Sequence, residues 1–305
     1  MTLQQIHYAL TIAEAGSMNR AAERLFVSQP SLTSAIRELE AETGIQIFLR
    51  TNRGVQVTAE GADFLTYARQ LYQQYELINE KYSSNKDYKR KFSVSTQHYS
   101  FAVKAFVETV KHFDPRDYEF AIYETMTRSV IEDVGGMRSE IGVIYLSSYN
   151  RKAIGKMLRE HELEFHELTR VSACVYMWRG HPLAAEESVT MKQLADYPCL
   201  MFRQGDQGSF YLAEEILAEK DYPRIIHVND RATNLNLMVG LNGYTLCSGI
   251  INEELNGSDY VAVPFREDRE HHNAVMEIGY ITKKRSILSE IGKTYVEEMK
   301  KVLSV

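Results

Sequence analysis

Residues 18–37 constrain the fold of this chain more than any other stretch, because two helical patterns stand there on either side of a tight turn. The small pair Ala21 and Ala22 lets another helix approach closely, and Ser17 precedes the first helix as a residue type that caps helix N-termini. Ser28 holds the same position before the second helix. The stretch is therefore predicted to form a helix-turn-helix, which lays its second helix in the major groove of DNA.

The second helix of this motif separates an apolar face from a polar one. Leu32, Ile36 and Leu39 recur at helical spacing and are predicted to be buried. Side chains suited to base edges and phosphates occupy the outward or N-terminal positions, namely Gln29, Ser31, Thr33, Ser34 and Arg37. An ordinary helical hairpin with a polar outer face is the alternative interpretation.

A two-stranded wing is predicted after the second helix. Gly44 is a typical C-cap, and residues 45–58 alternate apolar and polar side chains across a turn at 52–54. Arg50 and Arg53 stand at the tip of this hairpin, where arginine suits phosphates or the minor groove. The alternative is a solvated turn with no DNA contact.

A long helix follows, with Thr58 as its N-cap and Glu60 in its first turn. Its apolar residues are spaced alternately by four and three, as in the seam of a two-stranded coiled coil: Phe64, Ala68, Leu71, Tyr75, Ile78 and Tyr82. This spacing predicts a homodimer. Two copies of the motif would address two half-sites, so the expected target is an interrupted inverted repeat. Leu65 and Tyr72 widen the stripe, which leaves packing on the preceding helices of the same chain as the competing explanation.

The remainder of the chain is long enough for one or two further domains. A polar hinge at 83–91 precedes short apolar runs that alternate with helical patterns, including a predicted helix near 209–220, and this alternation predicts parallel βαβ units. We expect two α/β lobes with a cleft between them. Lobe I is predicted over about 91–161 and 267–305, and lobe II over about 162–266.

Ligand residues are expected at the carboxyl ends of the strands and at the helix N-termini that follow them. The candidates are Ser95, Thr96, Gln97, Met126, Thr127, Arg128, Phe202, Arg203, Cys247 and Ser248. Hydroxyls at the positive end of a helix suit a carboxylate or another small anion, and the two arginines would add charge. Local helix capping or a solvated charge is the alternative for each of them.

The chain resembles the LysR-type family of bacterial transcriptional regulators from Leu3 through the whole winged motif. The resemblance implies a mostly α, winged helix-turn-helix domain at 1–58, a linker and dimerisation helix with hinge at 59–87, and an effector-binding domain at 88–305 with two α/β lobes, similar to periplasmic solute-binding proteins. It also implies a ligand-responsive regulator that binds double-stranded promoter DNA as a homodimer or homotetramer, with RNA polymerase as a partner if it is an activator. DNA contact carries over to Gln29, Pro30, Ser31, Thr33, Ser34, Arg37, Arg50 and Arg53.

Two departures from the family pattern limit what carries over. Thr33, Ser34 and Ala35 stand where many relatives have a Ser-Arg pair and another polar residue, and Gly54 stands where a second wing arginine is common. The promoter sequence of relatives therefore cannot be transferred to this chain.

Charge balance restricts how DNA would be bound. The chain has a formal net charge of −6, and residues 1–58 hold five arginines against five acidic residues. Non-specific affinity grows with the number of phosphates that cationic groups neutralise. Binding is therefore expected to depend on a few well-placed arginines and on dimeric or higher assembly.

Enzyme and metal-site motifs find little support in this sequence. There is no Gly-rich phosphate loop, and residues 208–210 do not form a Gly-x-Ser-x-Gly elbow. The adjacent His271 and His272 lack the same-face spacing of a helical metal site, so neither a metal nor a cofactor is expected. An α/β ligand-binding protein or enzyme, whose N-terminal helices serve only oligomerisation, is the second hypothesis.

The three cysteines, Cys174, Cys199 and Cys247, fall in predicted strands, where buried thiols acting as small apolar groups are the common case. A redox-sensing pair is the alternative. Unpaired thiols fit a reduced compartment. The chain enters its first helix at once and has no apolar run of membrane-spanning length, so a cytoplasmic location without membrane association is expected.

Overall fold

The computed structural model describes residues 1–51, 54–82, 90–113, 118–205, 209–266 and 274–304. These residues fall into two units, Met1–Lys86 and Asp87–Val305. Within the described ranges, no helix is both long enough and apolar enough to span a membrane.

The N-terminal unit is a winged helix-turn-helix followed by a long helix. Its elements are α1 (Leu3–Ala15), α2 (Met18–Arg24), α3 (Gln29–Thr43), β1 (Phe48–Thr51), β2 (Gly54–Val57) and α4 (Ala59–Tyr82). Leu32, Ile36 and Leu39 are buried as the helical spacing predicts, together with Leu65 of α4. The predicted motif and wing are thereby confirmed.

Capping side chains fix where these helices begin and end. The Ser28 hydroxyl accepts a hydrogen bond from the Ser31 N–H at 3.3 Å, and Thr58 accepts one from the Gly61 N–H at 2.8 Å. Gly44 ends α3 in the left-handed region at φ 72°. Ser17 lies at the N-cap of α2 with extended backbone, but its side chain makes no capping hydrogen bond.

The second unit contains the remaining strands and helices. The strands are β3 (Arg90–Thr96), β4 (Tyr118–Glu124), β5 (Ile141–Leu146), β6 (Leu163–Ser172), β7 (Cys174–Trp178), β8 (Cys199–Phe202), β9 (Ile225–Val228), β10 (Thr245–Cys247), β11 (Tyr260–Pro264) and β12 (Val275–Lys283). The helices are α5 (Ser100–Lys111), α6 (Thr127–Gly135), α7 (Arg151–Glu160), α8 (Met191–Leu194), α9 (Arg231–Leu241), α10 (Glu253–Asn256) and α11 (Glu290–Leu303).

Lobe I is built on a five-stranded sheet in the order β4-β3-β5-β12-β6. β3 pairs in parallel with β4 and β5, as the βαβ pattern predicts, whereas β12 is antiparallel to both β5 and β6. The chain therefore returns to lobe I at its end, as predicted. The side chains of Ile291, Tyr295 and Met299 of α11 are buried in the core that includes Phe92 of β3.

Lobe II contains two smaller sheets, β10-β7-β11, which is antiparallel, and β8-β9, which is parallel. Two predictions about this region are wrong. The lobe boundary predicted at 161/162 lies after Ser172, because β6 pairs along its length with β12 of lobe I. The helix predicted near 209–220 is a single 3₁₀ turn at Phe210–Leu212 followed by turns.

The missing helix has a physical reason in two adjacent carboxylates. Glu214 and Glu215 are both buried, and hydrogen bonds from two separate segments hold them there, from the His98 N–H and from the Phe202 N–H. These tertiary hydrogen bonds to two other segments of the chain override the helical propensity of the stretch.

Candidate functional site

The outer face of α3 is the first candidate site, because it carries the polar residues singled out in the sequence. Pro30, Ser31, Ser34 and Arg37 are exposed, opposite the buried apolar face of the helix. Gln29 and Thr33 are half-buried at its N-terminal end, where the Gln29 amide donates a hydrogen bond to the Thr33 hydroxyl at 2.9 Å. These side chains therefore lie together on one helix end that could enter a groove.

Hydrogen bonds hold the wing against α3. Oε1 of Glu40 accepts from the N–H groups of Ile47 and Phe48 at 2.8 and 3.0 Å, which ties the start of β1 to the helix. β1 and β2 pair in antiparallel register from Phe48 opposite Val57 to Thr51 opposite Gly54. The tip predicted to touch DNA lies outside what the structure describes, since Arg53 and the side chain of Arg50 are among the residues not described.

Gly54 lies so close to α1 that a side chain would not fit. The Val55 N–H donates to the Gly16 carbonyl at 3.0 Å, and a Cβ on Gly54 would lie 2.6 Å from that same oxygen. The φ of Gly54 is +125°, which also favours glycine. The lack of space for a side chain explains why this position holds glycine rather than the second wing arginine that is common in relatives.

The seam predicted on α4 divides into two parts. Phe64 and Ala68 pack into the core of their own unit, as the competing explanation requires. Leu71, Tyr75 and Ile78 are 43%, 36% and 59% exposed, although all three are large and apolar. Tyr82 belongs to the seam but its side chain lies outside the described residues. The exposed part of the stripe is the part available to a second copy.

A cavity of about 80 Å³ lies between the two lobes. Lobe I contributes His98, Tyr99 and Ser100, from the end of β3 and the start of α5. Lobe II contributes the larger share, including Phe202, Glu214, Glu215, Arg231, Asn234, Cys247 and Ser248.

Contacts across this cavity join the lobes. The His98 ring stacks on Phe202 with ring centroids 3.9 Å apart, and its Nδ1 lies 2.9 Å from a carboxylate oxygen of Glu214. At another point Arg231 forms an ion pair with Glu124, the last residue of β4. An aromatic stack, a His–Glu contact and one ion pair thus join the two lobes near the cavity.

The structure brings only part of the predicted effector set to this cavity. Phe202, Cys247 and Ser248 line it. The other candidates do not: Ser95, Thr96, Gln97 and Thr127 are fully buried, and Met126, Arg128 and Arg203 are exposed elsewhere.

The buried members of that set bond to protein groups. Ser95 donates to Asp133 at 2.7 Å, and the Thr96 hydroxyl donates to the Gln97 carbonyl. The Gln97 amide donates to the Thr127 hydroxyl at 2.6 Å, and that hydroxyl donates in turn to the carbonyl of Leu212 in lobe II. These residues thus hold the lobe I strand ends and part of the lobe contact.

Glu215 is the most perturbed acid at the cavity. Its burial, followed by the nearby charge of Glu214, raises its pKa to about 8. Sequence reasoning missed both glutamates because the helix predicted over them suggested ordinary exposed positions. Arg231 and Asn234 were also missed, although Asp230 marks the start of α9 as an N-cap that accepts from the Thr233 N–H.

The thiols lie in strands as predicted. Cys174 and Cys247 stand directly opposite each other in the β7-β10 pair. Burial raises the pKa of Cys247 to about 12, and it raises the pKa of Cys174 and of Cys199 as well. A raised pKa disfavours the reactive thiolate, which favours the apolar role. The redox-sensing pair stays a hypothesis. Among the described residues, no three His, Cys, Asp or Glu side chains are grouped as metal ligands.

Two family models match the chain. One, described as "Bacterial regulatory helix-turn-helix protein, lysR family", matches residues 3–62, and the other, "LysR substrate binding domain", matches residues 115–304. The chain is also similar to the HTH-type transcriptional regulator TfdT of Cupriavidus pinatubonensis, with 48% identity over 71 residues. That similarity covers 23% of this chain and 31% of TfdT, so the chain spans about a third of the length of that relative.

Solved structures share the fold over nearly the whole length. A full-length OxyR variant from Pseudomonas aeruginosa has a TM-score of 0.68 at 18% identity, covering 100% of this chain and 95% of its own. Full-length CbnR, solved in complex with its target DNA, has a TM-score of 0.56 at 18% identity and covers 99% of this chain and 100% of its own. At this identity the likeness is one of fold.

Proposed function

The chain belongs to the LysR family of bacterial helix-turn-helix regulators, and from this premise we propose that it binds an interrupted inverted repeat in double-stranded promoter DNA under the control of a small-molecule effector. The family consists of transcriptional regulators rather than enzymes. The same premise removes the second hypothesis, in which the N-terminal helices serve only oligomerisation.

The polar outer face of α3 carries the proposal of DNA contact. Side chains that donate and accept hydrogen bonds stand at the exposed N-terminal end of a helix whose opposite face is buried, so the helix can enter a groove without exposing core. The proposed contacts are Gln29, Pro30, Ser31, Thr33, Ser34 and Arg37, with Arg50 and Arg53 at the wing.

The exposed stripe on α4 supports dimeric binding. Leu71, Tyr75 and Ile78 would be covered by the same residues of a second copy, and a two-fold dimer addresses two half-sites in inverted orientation. A tetramer formed from two such dimers, and contact with RNA polymerase if the protein activates transcription, extend the same proposal.

The interlobe cavity is the proposed effector site. Phe202, Cys247 and Ser248 line it, and His98 of lobe I faces them. A ligand that contacts both lobes stabilises one arrangement of the lobes over others by its differential affinity. The seven effector candidates away from the cavity are not part of the proposed contact set.

Fluorescence anisotropy with duplex DNA from upstream of the gene tests the DNA part. We expect a complex that survives excess unrelated competitor DNA and weakens steeply as salt rises from 50 to 200 mM, a range in which about 10³-fold loss is typical of several phosphate contacts. If no duplex from that region competes better than unrelated DNA, with or without candidate ligands, the proposal is wrong.

A further inference from the structure

Charged side chains at the interlobe cavity are paired, with one exception. Nδ1 of His98 lies 2.9 Å from a carboxylate oxygen of Glu214, and Arg231 forms an ion pair with Glu124, so the charge of the Arg231 guanidinium is compensated. Glu215 forms no ion pair with any described residue. Although it is only 3% exposed, the structure gives it no cation. A small anion entering this cavity would therefore meet no described Lys or Arg side chain that is free of a carboxylate partner.

Polar atoms without hydrogen-bond partners also concentrate here. Glu215 Oε2, Arg231 Nε and Asn234 Oδ1 are buried without a partner, and they make up three of the four such side-chain atoms in the described part of the chain. All three residues line the cavity. Buried polar groups are normally satisfied, and a ligand that donates hydrogen bonds to the two oxygens would satisfy two of these three atoms.

The apolar lining residues and the volume of the cavity indicate what kind of hydrocarbon group the ligand would carry. Tyr176, Leu235, Ile250 and Ile251 provide apolar surface. A volume of about 80 Å³ is well below the roughly 300 Å³ at which pockets for drug-sized ligands begin. The space therefore suits an amine or alcohol with a short hydrocarbon group.

We propose that the effector cavity takes a small organic amine, whose ammonium group contacts Glu215 and Asn234 while its hydrocarbon part packs on Leu235 and Ile251. This inference rests on the proposed function, because it assigns a chemical class to the same site. An ammonium group has three donors and no acceptor, which matches the two unpartnered oxygens. The Arg231 Nε–H is left to donate to an oxygen substituent of the ligand.

The charge of Glu215 sets the pH at which the amine binds best. Because its pKa is raised to about 8, the carboxyl of the empty site is mainly neutral at pH 6.5, and its ionised fraction is larger at pH 8.5. The groups around it are His98, Tyr99, Tyr145, Cys199, Glu214, Tyr222 and Arg231. The pKa values of the tyrosines and the cysteine in this set are raised, so these groups stay protonated over that range.

The test compares n-butylamine, n-butanol and butyrate by thermal shift and calorimetry on the full chain. Their hydrocarbon parts are similar and their charges are positive, zero and negative. We expect saturable stabilisation by butylamine, at least tenfold weaker binding of butanol and no stabilisation by butyrate, with tighter amine binding at pH 8.5 than at pH 6.5. Stabilisation by butyrate equal to or above that by butylamine overturns the proposal.

Variants assign the effect to the site. Glu215→Gln should weaken butylamine binding at least tenfold, whereas Glu187→Gln, which neutralises an exposed glutamate of the same lobe, should leave it unchanged. Asn234→Asp adds a third carboxyl group to the cavity, beside Glu214 and Glu215, and should tighten butylamine binding severalfold at pH 8.5. This variant provides a second test if Glu215→Gln fails to fold. Unchanged binding in both cavity variants refutes the assignment.

The same samples are titrated with promoter DNA. A specific DNA complex without an amine effect contradicts the amine assignment alone. Amine binding without any specific DNA complex contradicts the proposed regulatory function alone.

Discussion

Among single residues, Glu215 is the one whose surroundings most change its chemistry. Its folded-state pKa of about 8 lies above the ordinary value of 4.5, so between these pH values the folded protein retains a proton that the unfolded chain has released. The stability associated with that proton is complete below pH 4.5 and is lost as pH rises towards 8.

Glu215→Gln should therefore gain stability over the unsubstituted protein as pH rises. Glutamine stays neutral and its amide oxygen can still accept from the Phe202 N–H, which now bonds to Oε1 at 2.8 Å. We expect the melting temperature difference to grow by roughly 5–15 °C between pH 5 and pH 8. Glu187→Gln, at an exposed position, is the control. If the melting temperature difference between Glu215→Gln and the unsubstituted protein stays constant with pH, the raised pKa of Glu215 is contradicted.

Arg37 is the exposed cation on the outer face of α3. Arg37→Ala should weaken promoter binding about tenfold without changing the melting temperature. The slope of the logarithm of the binding constant against the logarithm of the salt concentration should become shallower by about one. Lys192→Ala, which removes an exposed charge from the other unit, is the matched control for anisotropy titrations. Equal affinity in Arg37→Ala would mean that this side chain is only solvated.

Whether a side chain is buried or exposed was predictable from the sequence where helical spacing alone decides which way it points. The buried Leu32, Ile36 and Leu39 and the exposed Arg37 follow from helical spacing alone. The cavity residues do not, because Glu215 and His98 are brought together by tertiary contacts between segments more than 100 residues apart.

Among the elements, β2 depends on one glycine. Gly54→Ala would place a Cβ 2.6 Å from the Gly16 carbonyl oxygen at a φ of +125°, so the wing must shift away from α1. We expect a loss of stability of about 1–3 kcal/mol and weaker DNA binding. Gly155→Ala in α7, where the nearest atom would be 3.6 Å away, should be neutral or stabilising in the same melting experiment.

α4 presents the surface that a second copy would cover. The double substitution of Leu71 and Ile78 by aspartate places charges in the exposed stripe and should convert a dimer into monomers in sedimentation analysis. Ala62→Asp, at an exposed position near the start of α4, adds the same charge outside the stripe and should leave the dimer intact. Dimers that persist in the double variant would show that another surface carries the association.

Helices and strands were predictable where the capping residues and the apolar spacing of a segment agree with its packing in the fold. The helix-turn-helix, the wing and the parallel strands of lobe I satisfy that condition, since caps and apolar periods coincide there. The stretch 209–220 has a helical composition, but the inward carboxylates of Glu214 and Glu215 override it. β6 continues past the expected boundary because its pairing with β12 is visible only in the assembled sheet.

At the scale of the whole effector-binding unit, polar contacts join the two lobes around the cavity. The Glu124–Arg231 ion pair lies on one side, with side chains 28% and 21% exposed. Two backbone amides of lobe I also bond to side chains of lobe II. The Thr127 N–H donates to Gln204 at 3.0 Å, and the His98 N–H donates to the Glu214 carboxylate at 2.7 Å. Lobe opening would break these bonds.

Glu124→Gln should make that opening easier, because it leaves the partly buried Arg231 without its carboxylate. Hydrogen exchange of the full chain should show amides of the segments around His98 and Thr127 exchanging about tenfold faster, equivalent to about 1.4 kcal/mol. Arg170→Gln, which removes the Glu167–Arg170 pair within β6, is the control and should leave both segments unchanged. If Glu124→Gln lowers the melting temperature while exchange at both segments stays the same, the ion pair stabilises the unit without holding the lobes together. That outcome would leave lobe opening to the other interlobe contacts, among them the His98–Glu214 contact and the hydrogen bond from the Thr127 hydroxyl to the Leu212 carbonyl.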